Sequence, residues 1–386
     1  MIFAEFVFCI SLAVVAYVYI GYLASAVLLA KILNRNVSKQ DIEPSVTVVI
    51  SAFNEEQEIE QTILNKLAQD YQAGRLEVIV VSDGSVDRTD DIVRELVDRS
   101  DGRLRFLRQE PRQGKTQALN LAIQNVTTDI VVFADANSIY APNTIRMLVR
   151  NFADPTVGYV TGRMVYTNPA DSGVGEGSGT YISYENVLRV IETKLGSIVG
   201  VNGGIDAIRK NLYVPMRADQ LPDFVLPLSV VENGKRVVFE PEAVVYEQTL
   251  ANAADEFRMR VRVSLRALWA LYDKRRLLNP LHNGLYAWQL ISHKVMRYVA
   301  FLPLFGLLLS NLFITSVHPF YFGFLILQLV VYTFAVLGHF LRNRTIRMAE
   351  LLVPYYFFIL NAACGLAFWK FINGKKMVLW KPREGA

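Results

Sequence analysis

The stretch Asp129–Asn137 reads DIVVFADAN, and the rest of the chain is arranged around it. It is a β-branched apolar run that ends abruptly in a polar cluster, in which Asp135 and Asn137 stand two residues apart. This pattern predicts a buried strand followed by an exposed tip, where a carboxylate and an amide point into a cleft. In open α/β sheets, ligands bind outside the carboxyl ends of such strands. We therefore expect the floor of an active site at this tip.

The composition indicates a soluble domain joined to membrane-spanning segments. Hydrophobic residues make up 52% of the 386 residues and 20% are charged, while the mean hydropathy is +0.25. This is too apolar for a purely soluble protein and too charged for one that lies wholly in a membrane. The net charge of +4 is small, and its positive excess lies beside apolar segments, which favours orientation in a membrane over nucleic-acid binding. We expect no nucleic-acid partner.

Neither a disulfide framework nor a structural zinc site is expected. Cys9 and Cys364 both lie inside apolar runs, which makes a disulfide improbable on sequence grounds. The histidines lie at or near the C-terminal apolar region without the spacing of zinc ligands.

Residues 1–35 are expected to form a membrane anchor. The segment Phe6–Ala30 contains no charged residue and is long enough to cross a hydrocarbon core of ~30 Å. Glu5 precedes it and Lys31 follows it, so the positive-inside rule places the following domain in the cytoplasm. The alternative is a signal peptide cleaved near Ala24-Ser25-Ala26, but the start of the chain has no basic residue and the apolar run is too long.

Residues 44–250 are expected to form one domain in which strands alternate with helices. The predicted strands are Val46–Ala52, Leu76–Val81, Leu104–Leu107, Ile130–Ala134 and Arg236–Glu240. The predicted helices are Glu55–Ala68, Asp90–Val97, Gln117–Ile123, Pro142–Phe152 and Tyr181–Ile198. This alternation predicts a Rossmann-like, mostly parallel, doubly wound sheet. The Gly-rich segment Ala170–Gly179 predicts a flexible loop, and Gly200–Gly204 predicts a tight backbone passage.

The rest of the chain is expected to meet the membrane. Residues 251–297 include the basic amphipathic segment Glu256–Arg276, which is typical of a helix at a membrane surface; a helix docked on other helices is the alternative. Residues 298–372 contain three apolar runs that predict membrane spans. The runs are Val299–Ser316, Phe320–Leu341 and Ala349–Phe371. One span before the domain and three after it would place the basic tail, residues 373–386, outside the cell. The positive charge of the tail instead favours the cytoplasmic side. A last segment that enters and leaves the membrane on the same side would reconcile the two arguments.

Four polar clusters could carry chemistry. In the first, Ser51–Glu55, Asn54 either binds a ligand or caps the next helix. The second, Ser82–Ser85, places Asp83 at a strand tip. The third, Gly114-Lys115-Thr116, is not a Walker A motif because no glycine stands five residues before Gly114 and no strand leads directly into it. Lys115 could still meet a phosphate as a point charge.

The fourth cluster is Asp135-Ala136-Asn137. If Asp83 and Asp135 end neighbouring strands, their charges repel unless a cation or a donor group lies between them. A hard divalent ion with oxygen ligands meets that need and could also bridge a diphosphate.

Taken in order, these clusters resemble the membrane-embedded, inverting family-2 glycosyltransferases with a GT-A fold, the group that includes cellulose, chitin and hyaluronan synthases. One span before the domain and three after it resemble the layout of the rhizobial chitin-oligosaccharide synthases. The resemblance implies an α/β GT-A cytoplasmic domain plus α-helical transmembrane segments. It also implies a multi-pass protein of the plasma (inner) membrane whose catalytic domain is cytoplasmic.

The resemblance also implies a role for each motif. Asn54 and Glu55 stand in the nucleotide-binding element, and Asp83 looks like the aspartate that contacts the nucleotide. Lys115 lies in a segment similar to G-K-x-x-A-L-N, near the diphosphate. Leu221-Pro222-Asp223-Phe224 resembles the segment that carries the catalytic base. The alternative for Asp223 is an acidic residue that merely opens a helix after a proline.

Two motifs depart from the family pattern. Asp135-Ala136-Asn137 resembles the D-x-D metal motif, but Asn137 replaces its second aspartate. The stretch Met259–Val263 stands where processive members have Q-x-x-R-W, and it lacks both the Gln and the Trp. Its arginines, Arg260 and Arg262, could neutralise a diphosphate or could simply be solvated or lipid-facing charges.

The sequence therefore predicts a glycosyltransferase that uses a nucleotide-diphosphate sugar, with a UDP-sugar as the first expectation. Asp135 and Asn137 would hold Mg²⁺ or Mn²⁺, and Asp223 would act as general base, a role that contributes roughly 10²–10⁴-fold. The acceptor would be a growing poly- or oligosaccharide at the lipid bilayer. The alternatives are transfer of a single sugar to a lipid-phosphate carrier and an inactive membrane scaffold.

Overall fold

The computed structural model describes residues 1–167, 173–247, 253–341 and 349–378. These residues contain eight strands: β1 Val46–Ala52, β2 Leu76–Ser82, β3 Leu104–Arg108, β4 Ile130–Asp135, β5 Ile139–Tyr140, β6 Val157–Tyr166, β7 Asp206–Arg209 and β8 Arg236–Glu247.

The helices of the described residues are α1 Ile2–Ala16, α2 Tyr22–Leu33, α3 Ile59–Leu67, α4 Thr89–Asp98, α5 Lys115–Gln124, α6 Thr144–Val149, α7 Gly173–Leu195, α8 Pro222–Glu232, α9 Ala253–Asp273, α10 Pro280–Leu290, α11 Met296–Tyr298, α12 Phe301–Ile314, α13 Pro319–Leu341 and α14 Ala349–Ile372. Short π-helical segments join α1 to α2 and α10 to α11.

All eight strands belong to one sheet with the order β3-β2-β1-β4-β7-β6-β8-β5. Strands β1 to β4 run parallel, and β6 pairs with β8 in parallel. The β7 strand is antiparallel to both β4 and β6, and β5 is antiparallel to β8 at the edge. Four of the seven strand pairs are therefore parallel, and the predicted mostly parallel sheet is confirmed.

The β4 strand lies in the interior of the sheet because its side chains are apolar on both faces. Every residue from Ile130 to Ala134 is buried, and only Asp135 at the tip is partly exposed. A strand covered on both faces has a continuous apolar run rather than an alternating one. The main core packs β1, β2 and β4 against α3, α4 and α6.

Three helix predictions need correction. The third helix begins at Ile59 rather than Glu55, with Glu58 at its N-cap position, so Asn54 does not cap it. On this helix Leu64 is 48% exposed, whereas Lys66 is fully buried and donates a hydrogen bond to the carbonyl of Ser138.

The sixth helix begins at Thr144 rather than at Pro142.

The flexible loop predicted over Ala170–Gly179 is also wrong from Gly173 onward, because α7 begins there. A helix can extend through residues of low propensity once its nucleus has formed further along, since each added residue gains one hydrogen bond. Residues 170–172 lie outside the described residues.

The side chain of Asn65 closes the β5 edge of the sheet. Its Nδ2 donates to the carbonyl of Tyr140 at 2.9 Å, and its Oδ1 accepts from the N–H of Tyr140 at 2.8 Å. An edge strand normally leaves such groups unpaired. Here one amide side chain of α3 makes the two bonds that a further strand would make.

The chain forms two compact units, one of which contains the sheet. The other contains α1, α2 and the C-terminal helices. Three helices in the described residues are long and apolar enough to cross a membrane: Ile2–Leu33, Pro319–Phe340 and Leu351–Ile372. A bent pair, Pro280–Tyr298 with Phe301–Ile314, meets the same criterion only when the two are taken together, and they meet at 58°.

In the helical unit, α9 docks on α14. Phe257 packs against Tyr355 and Tyr356, and the indole N–H of Trp269 donates to the carbonyl of Lys375 at 2.8 Å. Leu265 is fully buried. These contacts show that α9 docks on α14, and its position at a membrane surface stays a prediction.

Candidate active site

Three carboxylates surround the Gly203-Gly204 passage at the start of β7. Gly204 has a φ of +79°, and a Cβ built on it would lie 3.1 Å from Oδ2 of Asp135 and 3.1 Å from Oε1 of Glu247. Those two oxygens therefore flank one point in space. A Cβ on Gly203 would lie 2.7 Å from Oδ2 of Asp223. The predicted tight passage exists, and the glycines leave open the space that these carboxylates face.

Lys115 pairs with the carboxylate that ends β4. It is the first residue of α5, and its Nζ lies 2.5 Å from Oδ1 of Asp135. Removal from water would by itself lower the pKa of this ammonium, but the carboxylates of Asp135, Asp223 and Asp206 outweigh that effect, and the pKa is raised. The structure thus brings together three predicted site residues: Lys115, Asp135 and Asp223.

Asp206 is a fourth acidic residue at this place, and the sequence analysis missed it. It begins β7, opposite Phe133 of β4 and Thr161 of β6, so it shares a sheet face with Asp135, two residues beyond Phe133. Its side chain is fully buried, and neither carboxylate oxygen accepts a hydrogen bond of ordinary geometry. Burial raises the pKa of Asp206 well above its usual range, and the charge of Asp223 raises it further. A charged residue at the start of a short apolar stretch is the sequence signal that could have identified it.

Asp83 does not neighbour Asp135, which corrects the repulsion argument. The β1 strand lies between β2 and β4. The carboxylate of Asp83 is buried and accepts hydrogen bonds from Nε2 of Gln109 at 2.5 Å, from the N–H of Gln113 at 2.8 Å and from the N–H of Gly114 at 2.9 Å. Asp83 therefore organises the loop that leads into Lys115, and its contact with a nucleotide stays a prediction.

An arginine–aromatic stack lies beside Asp83. The guanidinium carbon of Arg112 is 3.5 Å from the ring centre of Phe53, and Nε of Arg112 is 3.5 Å from Oδ2 of Asp83. Flat surfaces of this kind are suited to stacking with a nucleobase. The sequence analysis included Phe53 in the first cluster but gave no role to Arg112.

Asn54 and Glu55 fix the loop after β1 to the loop after β2. Oδ1 of Asn54 accepts from the N–H of Val86 at 3.0 Å, and the N–H of Glu55 donates to the hydroxyl of Thr89 at 2.8 Å. Their contact with a nucleotide sugar remains a prediction.

Lys66 supports the turn that follows Asn137. Its ammonium lies 4.0 Å from the centre of the Tyr140 ring and donates to the carbonyl of Ser138 and to Oδ1 of Asn65. Burial lowers the pKa of Lys66 to about 7, against the opposing charges of Glu247 and Asp135.

The two predicted arginines lie in the helical unit. Arg260 on α9 donates to Oε1 of Glu256 at 2.8 Å and to the hydroxyl of Tyr356 at 2.6 Å. Arg262 is partly buried on the same helix. Their action on a diphosphate remains a prediction.

The residues around Gly204 fit a hard divalent cation in their chemistry. Asp135 and Glu247 present carboxylate oxygens to the same point, and the half-buried Asn137 adds an amide within the same motif. Oxygen ligands of this kind are those that Mg²⁺ and Mn²⁺ prefer. In the described part of the chain, no three His, Cys, Asp or Glu side chains form a ready-made metal site.

Comparison with known proteins identifies the family. The family described as Glycosyl transferase family 2 matches residues 47–211. Over 155 residues, 38% of this chain, the sequence is 32% identical to an N-acetylglucosaminyltransferase from Bradyrhizobium elkanii, and the match covers 84% of that protein. The chain belongs to glycosyl transferase family 2. It is therefore a glycosyltransferase.

This glycosyltransferase is also similar to a polysaccharide synthase in sequence and to a solved mannosyltransferase in structure. It is 25% identical over 222 residues to a poly-β-1,6-N-acetyl-D-glucosamine synthase of Staphylococcus aureus, a match over 56% of this chain that spans only 53% of the synthase. It superposes on a mannosyltransferase from Pyrobaculum calidifontis, solved with GDP-Man and Mn²⁺, with a TM-score of 0.72 at 22% identity. That superposition covers 96% of this chain and 99% of the other. The shared architecture confirms the predicted GT-A-like fold.

Proposed function

We propose that this glycosyltransferase moves a sugar, with inversion, from a nucleotide-diphosphate sugar to a hydroxyl of a saccharide or lipid-linked acceptor. The observation that carries the proposal is the grouping of Lys115, Asp135 and Asp223 around Gly203-Gly204. It supplies a cation for a diphosphate and a carboxylate for proton removal within one site. The other carboxylate at the passage, Glu247, adds an oxygen ligand.

The diphosphate end of the donor would meet α5 and the tip of β4. Lys115 stands at the first position of its helix, where the helix dipole also favours an anion. Asp135 and Asn137, with Glu247 beyond Gly204, would hold Mg²⁺ or Mn²⁺, which would offset the charge of the diphosphate as the nucleotide leaves. The nucleobase of the donor would lie near the stack of Phe53 and Arg112.

Asp223 would act as the general base. It lies in the first turn of α8, after Pro222, so the helix fixes the position of its carboxylate. A Cβ on Gly203 would lie 2.7 Å from Oδ2 of Asp223. Because glycine has no Cβ, an acceptor hydroxyl has room to approach this oxygen. The carboxylate would take the proton as that oxygen attacks the anomeric carbon from the face opposite the diphosphate.

The relatives direct the choice of sugar and acceptor. They are named as an N-acetylglucosaminyltransferase and a poly-β-1,6-N-acetyl-D-glucosamine synthase. We therefore propose a UDP-sugar as the first donor and a growing poly- or oligosaccharide as the first acceptor. Transfer of one sugar to a lipid-phosphate carrier is the second candidate, because Val263 stands where processive members have a tryptophan. We further propose a multi-pass protein of the inner membrane, with the sheet unit in the cytoplasm.

A nucleotide-release assay on the detergent-solubilised chain tests the proposal. A panel of UDP- and GDP-sugars with lipid-linked and saccharide acceptors should show release with at least one donor, and EDTA should stop it. Asp223→Asn should retain donor binding and abolish transfer, and near-wild-type turnover would remove Asp223 from its role. The length of the labelled product separates chain extension from single-sugar transfer.

A further inference from the structure

The segment that leads into the helix of Asp223 contains neither helix nor strand. It comprises residues 213–221, between a short 3₁₀ helix that ends at Leu212 and α8, which begins at Pro222. Its backbone groups have no ladder of their own, so its position depends on bonds to other parts of the domain. Asp223 follows it in the first turn of α8. A displacement of this segment therefore reaches the proposed general base.

Asn120 of α5 holds the middle of the 213–221 segment. Its Nδ2 donates to the carbonyl of Met216 at 2.7 Å, and its Oδ1 accepts from the N–H of Met216 at 3.1 Å. Oδ1 also accepts from the hydroxyl of Tyr213 at 2.8 Å. A primary amide supplies the donor and the acceptor side by side, so one side chain bonds both backbone groups of Met216.

Two further side chains of α5 bond the same segment. The hydroxyl of Thr116 donates to the carbonyl of Gln220 at 2.9 Å, and Nε2 of Gln117 donates to the carbonyl of Met216 at 3.1 Å. Positions 116, 117 and 120 share one side of the helix because they are three or four residues apart. The last of these bonds along the chain, at Gln220, lies three residues before Asp223. Helix α5 thus fixes the path of the segment up to the start of α8.

The same helix carries the lysine of the site. Lys115 is its first residue, and the ammonium interacts with Asp135 and Asp223. Helix α5 packs on β1 and β2 through buried side chains. Lys115 and Asn120 are ~7.5 Å apart along the helix axis, at 1.5 Å per residue. One rigid element therefore carries the proposed diphosphate ligand and also holds the segment of the proposed base.

We propose that Asn120 is a positioning residue for the general base, and that it sets the place of Asp223 relative to the donor at Lys115. The inference rests on the proposed function, because it names a residue that positions the proposed base. Asn120 bonds to the 213–221 segment and acts through it rather than on the substrates. Without these bonds, Asp223 moves away from the acceptor hydroxyl while Lys115 keeps its place. The chemical step then slows, and donor binding is preserved.

Steady-state kinetics and nucleotide binding, both on the full chain in detergent, test this inference. Asn120→Ala should lower kcat about tenfold or more, since displacements of about 1 Å at a reacting group cost about 10²-fold in rate. The Kd of labelled UDP or GDP with Mn²⁺ should stay within about twofold of the wild type. The number of nucleotide sites per chain, which measures the folded fraction, should also be unchanged. A fall in that number equal to the fall in kcat would show a merely structural role and overturn the inference.

Tyr213→Phe weakens the same contact with a smaller change. It removes the hydroxyl that donates to Asn120 and keeps the ring near that of Phe133. We expect kcat to fall severalfold with unchanged nucleotide binding. The double variant of Asn120→Ala and Tyr213→Phe should lose no more than Asn120→Ala alone, because both remove the same bond. A loss equal to the product of the two single losses would overturn the inference.

The matched control is Asn125→Ala. Asn125 ends the same helix, and its Nδ2 donates to the carbonyl of Leu121 within that helix. Its kcat and KM should stay within about twofold of the wild type. An equal loss of kcat in this control would overturn the inference, because damage to α5 would then be the cause. An unchanged kcat in Asn120→Ala, with or without a raised KM for the donor, would also overturn it.

Failure of the proposed function has a different signature. If the wild type releases no nucleotide from any donor, or if Asp223→Asn turns over at nearly the wild-type rate, the proposed reaction or its base is refuted, and the role of Asn120 with it. If Asp223→Asn abolishes transfer while Asn120→Ala keeps its kcat, the proposed function stands and only the positioning role of Asn120 is refuted.

Discussion

The ammonium of Lys66 donates a hydrogen bond to the carbonyl of Ser138 across 2.5 Å. A fully buried lysine of α3 thus holds the turn directly after Asp135-Ala136-Asn137. Burying a lysine costs free energy unless its ammonium is hydrogen-bonded. The turn after Asn137 is therefore held by an ionisable side chain that lies outside the motif.

Lys66 should make stability depend on pH. Its pKa in the folded chain is about 7, against an ordinary value of 10.5. Between these values the unfolded chain binds more protons than the folded one, so stability rises as pH increases from 7 to 10.5 and is lowest below 7. The slope contributed by this one group is at most about 1.4 kcal/mol per pH unit.

The measurement is the free energy of unfolding in detergent, by denaturant titration, at pH values from 6 to 9. Lys66→Met should flatten the rise seen in the wild type. The control is Lys235→Met, whose ammonium bonds to a carbonyl near the surface. Equal slopes in the wild type and Lys66→Met would show that Lys66 does not titrate in this range.

Gly204→Ala should abolish most of the activity by filling the space between Asp135 and Glu247. The new Cβ would lie 3.1 Å from a carboxylate oxygen of each, and displacements of about 1 Å at a reacting site cost about 10²-fold in rate. Gly234→Ala is a matched control, because Gly234 has a φ of +71° with nothing within 4 Å of the Cβ position.

Both alanines have the same left-handed backbone cost of roughly 1–2 kcal/mol, and only Gly204→Ala adds close contacts with the two carboxylates. Only Gly204→Ala should lose nucleotide release and Mn²⁺-dependent nucleotide binding. A comparable loss of both in Gly234→Ala would mean that backbone strain, and not the filled space, is responsible.

Asp83→Asn should weaken donor binding more than it slows the chemical step. The carboxylate accepts from Gln109 and Gln113 with one oxygen and from Gly114 with the other. The substitution replaces one of these oxygens with an NH₂ group, which only donates, so at least one of the three hydrogen bonds is lost. Hydrogen bonds to a charged group contribute about 1.5–3 kcal/mol each, so we expect the KM for the donor to rise about tenfold or more. The KM and kcat from initial rates test this.

The control for Asp83 is Asp91→Asn, which changes an exposed carboxylate paired with Arg94 on α4. It should leave both constants within about twofold of the wild type. If Asp83→Asn lowers kcat while the KM is unchanged, the loop from Gln109 to Gly114 does not position the donor.

The C-terminal tail should lie on the same side of the membrane as the sheet unit. With 14 residues, α12 is ~21 Å long, shorter than the ~30 Å hydrocarbon core. Since it meets the preceding helix at 58°, we expect it to enter and leave on one side. Crossing by α13 and α14 alone then returns Lys375 and Lys376 to the cytoplasm, as the positive-inside rule requires.

Reporter fusions after Ala386 measure this directly. A fluorescent protein that matures only in the cytoplasm should be bright there, and a phosphatase that is active only outside should be silent. The reverse pattern would mean that α12 and the helix before it cross the membrane as one span.

The centre of the sheet could be predicted from the sequence because its signals are local. The apolar run of β4 and the polar tip at Asp135 lie within one stretch, and burial on both faces explains the absence of alternation. Lys115 and Asp223 were predicted from their motifs, and the structure places both near Asp135.

What the sequence could not provide depends on long-range pairing. Asp206 joins the site only because β7 runs antiparallel to β4 and sets it opposite Phe133. Glu247 joins it because β8 extends beyond its predicted end at Glu240. The argument that Asp83 and Asp135 repel each other failed because strand order is not sequence order: β1 separates their strands.

The amide of Asn65 has a consequence for how copies of this enzyme can associate. Because its two hydrogen bonds use both backbone groups of Tyr140, the β5 border has no free donor and acceptor at that residue to recruit a strand from another chain. At this border, assembly by continuing the sheet from one molecule into the next is blocked at Tyr140 by a single side chain. An edge of the sheet that would otherwise invite pairing is thus protected without a further strand.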